Sequence, residues 1–332
     1  MENIDFEGLK RLVKQFVGGK VMLSFHSIGD TDAVASAMAL SGLFASSSIA
    51  TPDKISYNMG RILQKLDYKN KIPAAFSNDS DLIVLLDVNN FEDCGSFSQK
   101  LSETKIPILI IDHHSPSKIK KDNVYVFNDE SYTSTTSIVY KLLKSLGAQV
   151  DQNIAKLLSL GIISDSAEFK NSSALTFVQL GELFNIAKTD YDTLLNEFFY
   201  TPSAETRASI ISELFNSNVA IKNDTIFLYG STSVHPGSTA DIAIKMGADV
   251  AIFRGENDKG VSFSTRLRSG LDKKYGIDLG KIMKKLSRII KGSGGGHPCA
   301  AGAYGSAKES GDAVVEYFIL EVLKHIKQKR QK

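Results

Sequence analysis

The sequence has no tryptophan, seven prolines and only two cysteines, Cys94 and Cys299. Two cysteines so far apart in a chain of 332 residues give no disulfide framework, which fits a reducing, cytoplasmic setting. No apolar run reaches the roughly 20 residues of a membrane-spanning helix. The opening stretch MENIDFEGLKRLVKQFVGG is acidic and then amphipathic, and lacks the basic-then-apolar order of an export signal. No membrane partner is expected. A large charge of one sign is also missing, since 39 basic and 37 acidic residues leave a net charge of +2. That balance does not support tight binding to long nucleic acid, which draws on many phosphate contacts. A nucleotide or a short single-stranded oligonucleotide remains compatible with it. No internal repeat appears, and no Pro/Gly/Ser-rich spacer.

The chain is longer than one hydrophobic core comfortably serves, so two domains are expected, over 1–185 and 206–332, with a helical linker over 186–205. The first half alternates apolar runs with helical patterns. Val21–Phe25, Leu82–Leu86, Ile106–Ile111 and Val124–Phe127 read as buried strands, and Ala33–Phe44, Thr135–Leu146 and Gln152–Ile163 as helices. The alternation predicts an α/β fold with a parallel sheet. Ala45–Pro52 reads as a loop, Ile55–Asn58 as a weak strand and Phe177–Phe198 as one helix. From about Thr201 a smaller α/β unit is expected. A hairpin turns at Lys222-Asn223-Asp224, strands cover Val250–Arg254 and Val261–Leu267, and a helix covers Leu279–Ile290. A glycine-rich loop, a last helix over Ala313–Ile326 and the basic tail HIKQKRQK follow.

The informative feature is where aspartate and histidine fall. His26, Asp30 and Asp32 follow the strand ending at Phe25. Asp87 follows Leu86, and Asp112, His113 and His114 follow Ile111. Open α/β sheets place ligands at the carboxyl ends of their strands. Asp165, near the end of the Gln152–Ile163 helix, is a further candidate. Taken singly, each has an ordinary explanation. Asp30-Thr31-Asp32 can cap the next helix, and an aspartate after a strand is usually a turn residue. Gathered in one place, these carboxylates would repel one another and drive their pKa values up. Two divalent cations would remove that conflict, and a carboxylate–imidazole donor set without thiolate suits manganese. Such a pair neutralises phosphate charge and lowers the pKa of a bound water from about 15.7 to near 7.

A second cluster is Gly292-Ser293-Gly294-Gly295-Gly296-His297, leading to Ala300-Ala301-Gly302. Successive glycines permit positive φ and close backbone approach, so their N–H groups can form an anion nest. His297 adds a donor. Arg266 and Arg268 carry guanidinium forks that match phosphate. A flexible turn and solvated arginines are the plainer alternatives.

In these residues the sequence resembles the DHH phosphoesterase family. Asp112-His113-His114 reads as the motif that names it. His26, Asp30 and Asp32 resemble its first motif, Asp87 its second and Asp165 its fourth. The glycine–His297 run with Ala300-Ala301-Gly302 resembles its DHH-associated C-terminal domain. The resemblance implies a metal-dependent phosphohydrolase with its active site in a cleft between the two domains. His26 and Asp30 would hold one metal, Asp32, His113 and Asp165 the other, and Asp87 would bridge. Asp112 would orient a ligand, and His114 would touch the scissile phosphate. Gly294, Gly295, Gly296, His297 and an arginine would hold the far end of the substrate. Within the family the chain looks like enzymes that trim very short RNA or dephosphorylate 3′-phosphoadenosine-5′-phosphate. RecJ-like exonuclease, dinucleotide phosphodiesterase and catalytically inactive nucleotide sensor are alternatives, and a homodimer is left open. The sequence departs from the family pattern at Gly29, at Thr31 and at Glu168, where an acidic residue replaces a basic one.

Overall fold

Runs such as Leu82–Leu86 offer no polar face to water, and they lie at the centre of a parallel sheet covered on both sides. The structure is a computed structural model that describes every residue except 69–71, 73–74, 115, 118, 167–168, 199–201, 234, 259, 309–310 and 331–332. Glu168, part of the expected linker and the end of the basic tail therefore lie outside the described residues. The chain divides into two compact units, Met1–Tyr200 and Thr201–Lys332.

The first unit runs β1 (Glu2–Asn3), α1 (Phe6–Gln15), β2 (Lys20–Phe25), α2 (Thr31–Ser41), β3 (Ser46–Ile49), α3 (Tyr57–Lys65), β4 (Leu82–Leu86), α4 (Ser98–Glu103), β5 (Ile108–Asp112), β6 (Val124–Asn128), α5 (Thr135–Ser145), α6 (Gln152–Asp165), α7 (Ala174–Ala187) and α8 (Tyr191–Phe198). Its six-stranded sheet has the order β1-β6-β5-β4-β2-β3, parallel throughout. Side chains alternate between two cores. Leu23, Phe25, Val84, Leu86 and Ile111 join α2, α5 and α6 on one face. Met22, Ile83, Leu85 and Ile110 meet Cys94, Phe97 and Leu101 on the other.

The second unit runs α9 (Ala204–Phe215), β7 (Asn218–Lys222), β8 (Thr225–Thr232), α10 (Pro236–Lys245), β9 (Val250–Asn257), β10 (Gly260–Leu267), α11 (Leu271–Tyr275), α12 (Leu279–Leu286), β11 (Gly292–Gly296), β12 (Ala300–Gly305) and α13 (Gly311–Arg330). Its mixed sheet has the order β11-β12-β10-β9-β8-β7. The β7–β8 hairpin turns on Asn223 and Asp224, both at positive φ (50° and 52°). No described helix is long and apolar enough to cross a membrane.

Several elements differ from the sequence expectation. Ala45–Pro52 is not all loop, because Ser46–Ile49 is an edge strand whose exposed serines hide its pairing with β2. Ile55–Asn58 is not a strand. Ser56 caps α3 by accepting the Met59 N–H at 3.3 Å, and Met59, Ile62 and Leu63 bury one face at helical spacing. Phe177–Phe198 is two helices. Lys188 takes a left-handed conformation (φ 51°) and ends α7, a break that an uninterrupted apolar stripe conceals.

The Gly292–Gly296 stretch is a strand rather than a loop, paired antiparallel with β12. Gly292, Gly294 and Gly296 answer to crowding. A Cβ at Gly294 would lie 2.7 Å from the Met283 carbonyl of α12 and 2.9 Å from the Gly302 carbonyl. Of Gly294, Gly295 and Gly296, only Gly296 has positive φ, so a nest of successive amides is not formed there. Gly294→Val is expected to destabilise the protein by about 1–3 kcal/mol through overpacking. A urea melt checks this, and an unchanged midpoint would contradict the crowding.

Candidate active site

The parallel register aligns Phe25 with Leu86 and Leu86 with Ile111, so His26, Asp87 and Asp112 leave their strands one step beyond a common row. Chain order reverses between β2 and β4: β3 lies outward of β2, while β4, β5 and β6 extend the other way. Such a switch point opens a crevice at the strand carboxyl ends. Gly29 (φ 53°) turns the loop from β2 into α2, and a Cβ there would lie 2.9 Å from the Ile55 Cα.

Asp30 caps α2, its Oδ1 accepting the Ala33 N–H at 3.1 Å, and it also faces His26, with Oδ2 3.5 Å from Nε2. The capping role and a ligand role are thus compatible. Asp32, in the first turn of α2, is fully buried; its oxygens accept the N–H groups of Thr135 and Thr136 at 2.8 Å each, and the Thr136 hydroxyl donates to Oδ1. Asp87 sits at positive φ (61°), a strained conformation that aspartate tolerates better than most residues. Its Oδ2 lies 3.4 Å from His26 Nε2 and its Oδ1 3.6 Å from His113 Nε2, while Oδ1 accepts the Thr135 hydroxyl at 3.0 Å.

His113 donates Nδ1–H to the Tyr132 carbonyl at 3.3 Å, which turns Nε2 to within 3.0 Å of Asp165 Oδ2 and 4.0 Å of Asp32 Oδ2. His114 Nδ1 donates to Asp112 Oδ1 at 2.9 Å, and Asp112 is itself buried. The ligand atoms form three overlapping groups: His26, Asp30 and Asp87; Asp32, His113 and Asp165; and Asp87, His113 and His114.

The electrostatics are those of a site built for cations. Burial acts to lower His26, but Asp30 and Asp87 outweigh it and raise the imidazole to about 10. His113 behaves alike: burial opposes protonation, and Asp165, Asp32 and Asp87 raise it to about 10. Burial, then the charges of Asp87 and Asp165, push the Asp32 carboxyl well above the usual range. Burial also acts to raise Asp30, yet His26 and the Ala33 amide hold it below the ordinary value. Asp112 is the main cause that raises His114. Buried His26 Nδ1 and His113 Nε2 lack a hydrogen-bond partner among the described residues, so the 3.0 Å approach of His113 to Asp165 is not a hydrogen bond. The unsatisfied His113 Nε2 among the carboxylates of Asp32, Asp87 and Asp165 fits a hard or borderline divalent cation.

In the second unit Arg266 is ion-paired with Asp241, and Arg268 pairs with Asp249 at 2.6 Å. His297 is exposed in the tight turn between β11 and β12, its N–H donating to the Ala300 carbonyl at 2.8 Å. A Cβ at Gly295 would meet open space. The sequence places the start of a helix at Thr135, as observed, but assigns no site role to Thr133-Ser134-Thr135-Thr136-Ser137. An unbroken run of hydroxyl residues, all buried, was the signal of that role.

Residues 20–162 match the DHH family, N-terminal domain, and residues 224–324 match the DHHA1 domain. The chain is 24% identical over 290 residues to an uncharacterized protein of Methanocaldococcus jannaschii, covering 85% of this chain and 86% of that one. It is 30% identical over 161 residues to a probable manganese-dependent inorganic pyrophosphatase of Staphylococcus haemolyticus, a match that covers 46% of this chain and 50% of that protein. The crystal structure of an exopolyphosphatase-related protein from Bacteroides fragilis shares the fold, with a TM-score of 0.77 over 97% of both chains at 16% identity.

Proposed function

Since this chain belongs to the DHH family and carries a DHHA1 domain, we propose that it is a divalent-metal-dependent phosphoesterase acting on a nucleotide or a very short oligonucleotide. The observation that carries the reading is the pair of carboxylate–imidazole groups with Asp87 between them at the sheet's switch point. His26 and Asp30 would hold one cation and Asp32, His113 and Asp165 a second, with Asp87 shared. Manganese is favoured by the donor set and by the manganese-dependent relative. When bound, the cations supply charge neutralisation at the phosphate and a nucleophilic water at neutral pH.

His114 is half-exposed beside Asp87, and the Asp112 carboxylate fixes its Nδ1 proton and raises its pKa. A protonated imidazole so held can donate a proton to a leaving oxygen. Asp112 would serve by orienting it. Gly295, Gly296 and His297 would hold the far end of the substrate, and Gly294 would give the strand its close fit to α12. Arg266 or Arg268 would exchange its aspartate partner for phosphate. The net charge of +2 favours a short substrate over a long strand.

A substrate panel with manganese tests this reading. It compares 3′-phosphoadenosine-5′-phosphate, dinucleotides, RNA of graded length, long single-stranded DNA and pyrophosphate. The expected result is hydrolysis of the first two and of the shortest RNA, abolished by chelator and restored by manganese. Preferential pyrophosphate hydrolysis would support the alternative that the half-length pyrophosphatase match favours. Processive degradation of long DNA would contradict the short-substrate assignment.

A further inference from the structure

The segment from Tyr132 to Thr136 touches three of the acidic and imidazole groups, each from a different element. The Tyr132 carbonyl accepts from His113, which follows β5. The Thr135 hydroxyl donates to Asp87, which follows β4. The Thr135 and Thr136 amides, at the start of α5, donate to Asp32 of α2. We propose that this segment is the positioning element of the site, with Thr135 aiming Asp87 and Thr136 aiming Asp32. The inference rests on the metal-dependent reading above.

The physical need is specific. Asp32, Asp87 and Asp165 carry like charges close together, and Asp32 is fully buried. Left to themselves such carboxylates would turn apart or take up protons. Two backbone N–H groups at a helix N-terminus, in the favourable field of its dipole, hold one of them in place. Both amides are rigid because they belong to the first turn of an 11-residue helix. The remaining lone pairs on each carboxylate stay available for a cation. The Thr135 hydroxyl performs the same service for Asp87, whose Oδ2 is left facing His26.

The surroundings are fitted to this arrangement. Thr136 is locked between Asp32 and the Ser36 hydroxyl at 3.2 Å. Gly161 lies within α6, where glycine is a poor helix former. A Cβ at Gly161 would collide with the Thr136 hydroxyl, so the glycine makes the room that Thr136 needs. Gly161→Ala therefore tests the segment from a residue that supplies no ligand atom.

The test is a manganese titration of the full chain by calorimetry, comparing wild type, Thr135→Val, Thr135→Ser and Gly161→Ala, with melts of the metal-free proteins alongside. Groups that orient metal ligands typically change metal affinity by about 10–100-fold. Thr135→Val is expected to weaken manganese binding in that range, Thr135→Ser to restore it, and Gly161→Ala to weaken it. Should Thr135→Val lower only the metal-free melting temperature and bind manganese as tightly as wild type, the residue is structural and the positioning role is overturned. A wild-type protein that takes up no manganese would instead overturn the metal-dependent reading itself.

Discussion

Asp87→Asn is expected to lower kcat by about 10³-fold or more while leaving the fold intact. Asp87 is the residue whose oxygens face both groups, Oδ2 toward His26 and Oδ1 toward His113. Losing its charge removes the anion that both cations would share, and metal charge stabilisation of a phosphoryl transition state is worth several kcal/mol. At about 1.36 kcal/mol per tenfold, that is the expected scale. Asparagine is the informative replacement because it also tolerates the left-handed backbone at this position and keeps an oxygen for the Thr135 hydroxyl. The metal-free variant should still melt cooperatively, because the lost repulsion on buried Asp32 offsets the lost attraction to His26 and His113. Turnover with manganese and a thermal melt after chelation check the two halves. Near-normal turnover would contradict a shared ligand.

The second large effect is a pH dependence of stability in the metal-free protein that metal binding removes. In the metal-free chain His26 and His113 are raised to about 10, because facing carboxylates outweigh burial. The unfolded value is about 6.5. A raised histidine contributes stability that is fully present below about 6.5 and is lost as pH rises through about 10. Asp32, also raised, adds to the same trend, since it too binds its proton more tightly in the folded state. Chelated protein should therefore lose the stability contributed by the two histidines between about pH 6.5 and pH 10. Metal binding must displace those protons, so affinity should climb with pH by up to about two decades per unit in that window. Melting curves of chelated and manganese-loaded protein should diverge as pH rises, and calorimetry in buffers of different ionisation heat should detect proton release. Parallel curves and no released proton would show that these imidazoles are not displaced by metal.

Much of the fold was legible because the strands that carry the site are buried on both faces. Leu82–Leu86 and Ile108–Ile111 have no other stable place than the middle of a covered sheet, and the polar residues after them mark its ligand-bearing edge. What periodicity could not see was decided by tertiary contact. Ser46–Ile49 forms a strand because β2 offers it an edge, and Gly292–Gly296 because it pairs with β12 so closely that Gly292, Gly294 and Gly296 have no room for a side chain. The break at Lys188 falls inside an apolar stripe that looks continuous in sequence. Within the site, strand register explains why His26, Asp87 and Asp112 lie close together. The partners that aim them come from Thr135 and Thr136. Side-chain hydroxyls at a helix start read as ordinary capping, and only their burial against Asp32 and Asp87 separates the two roles.

The most direct check is an anomalous difference map from a crystal grown with manganese and measured near that metal's absorption edge. Two peaks are predicted in each chain, about 3.5–4 Å apart. One should lie among His26, Asp30 and Asp87, and the other among Asp32, His113 and Asp165. Well-ordered side chains at these residues with no peak among them would contradict the account.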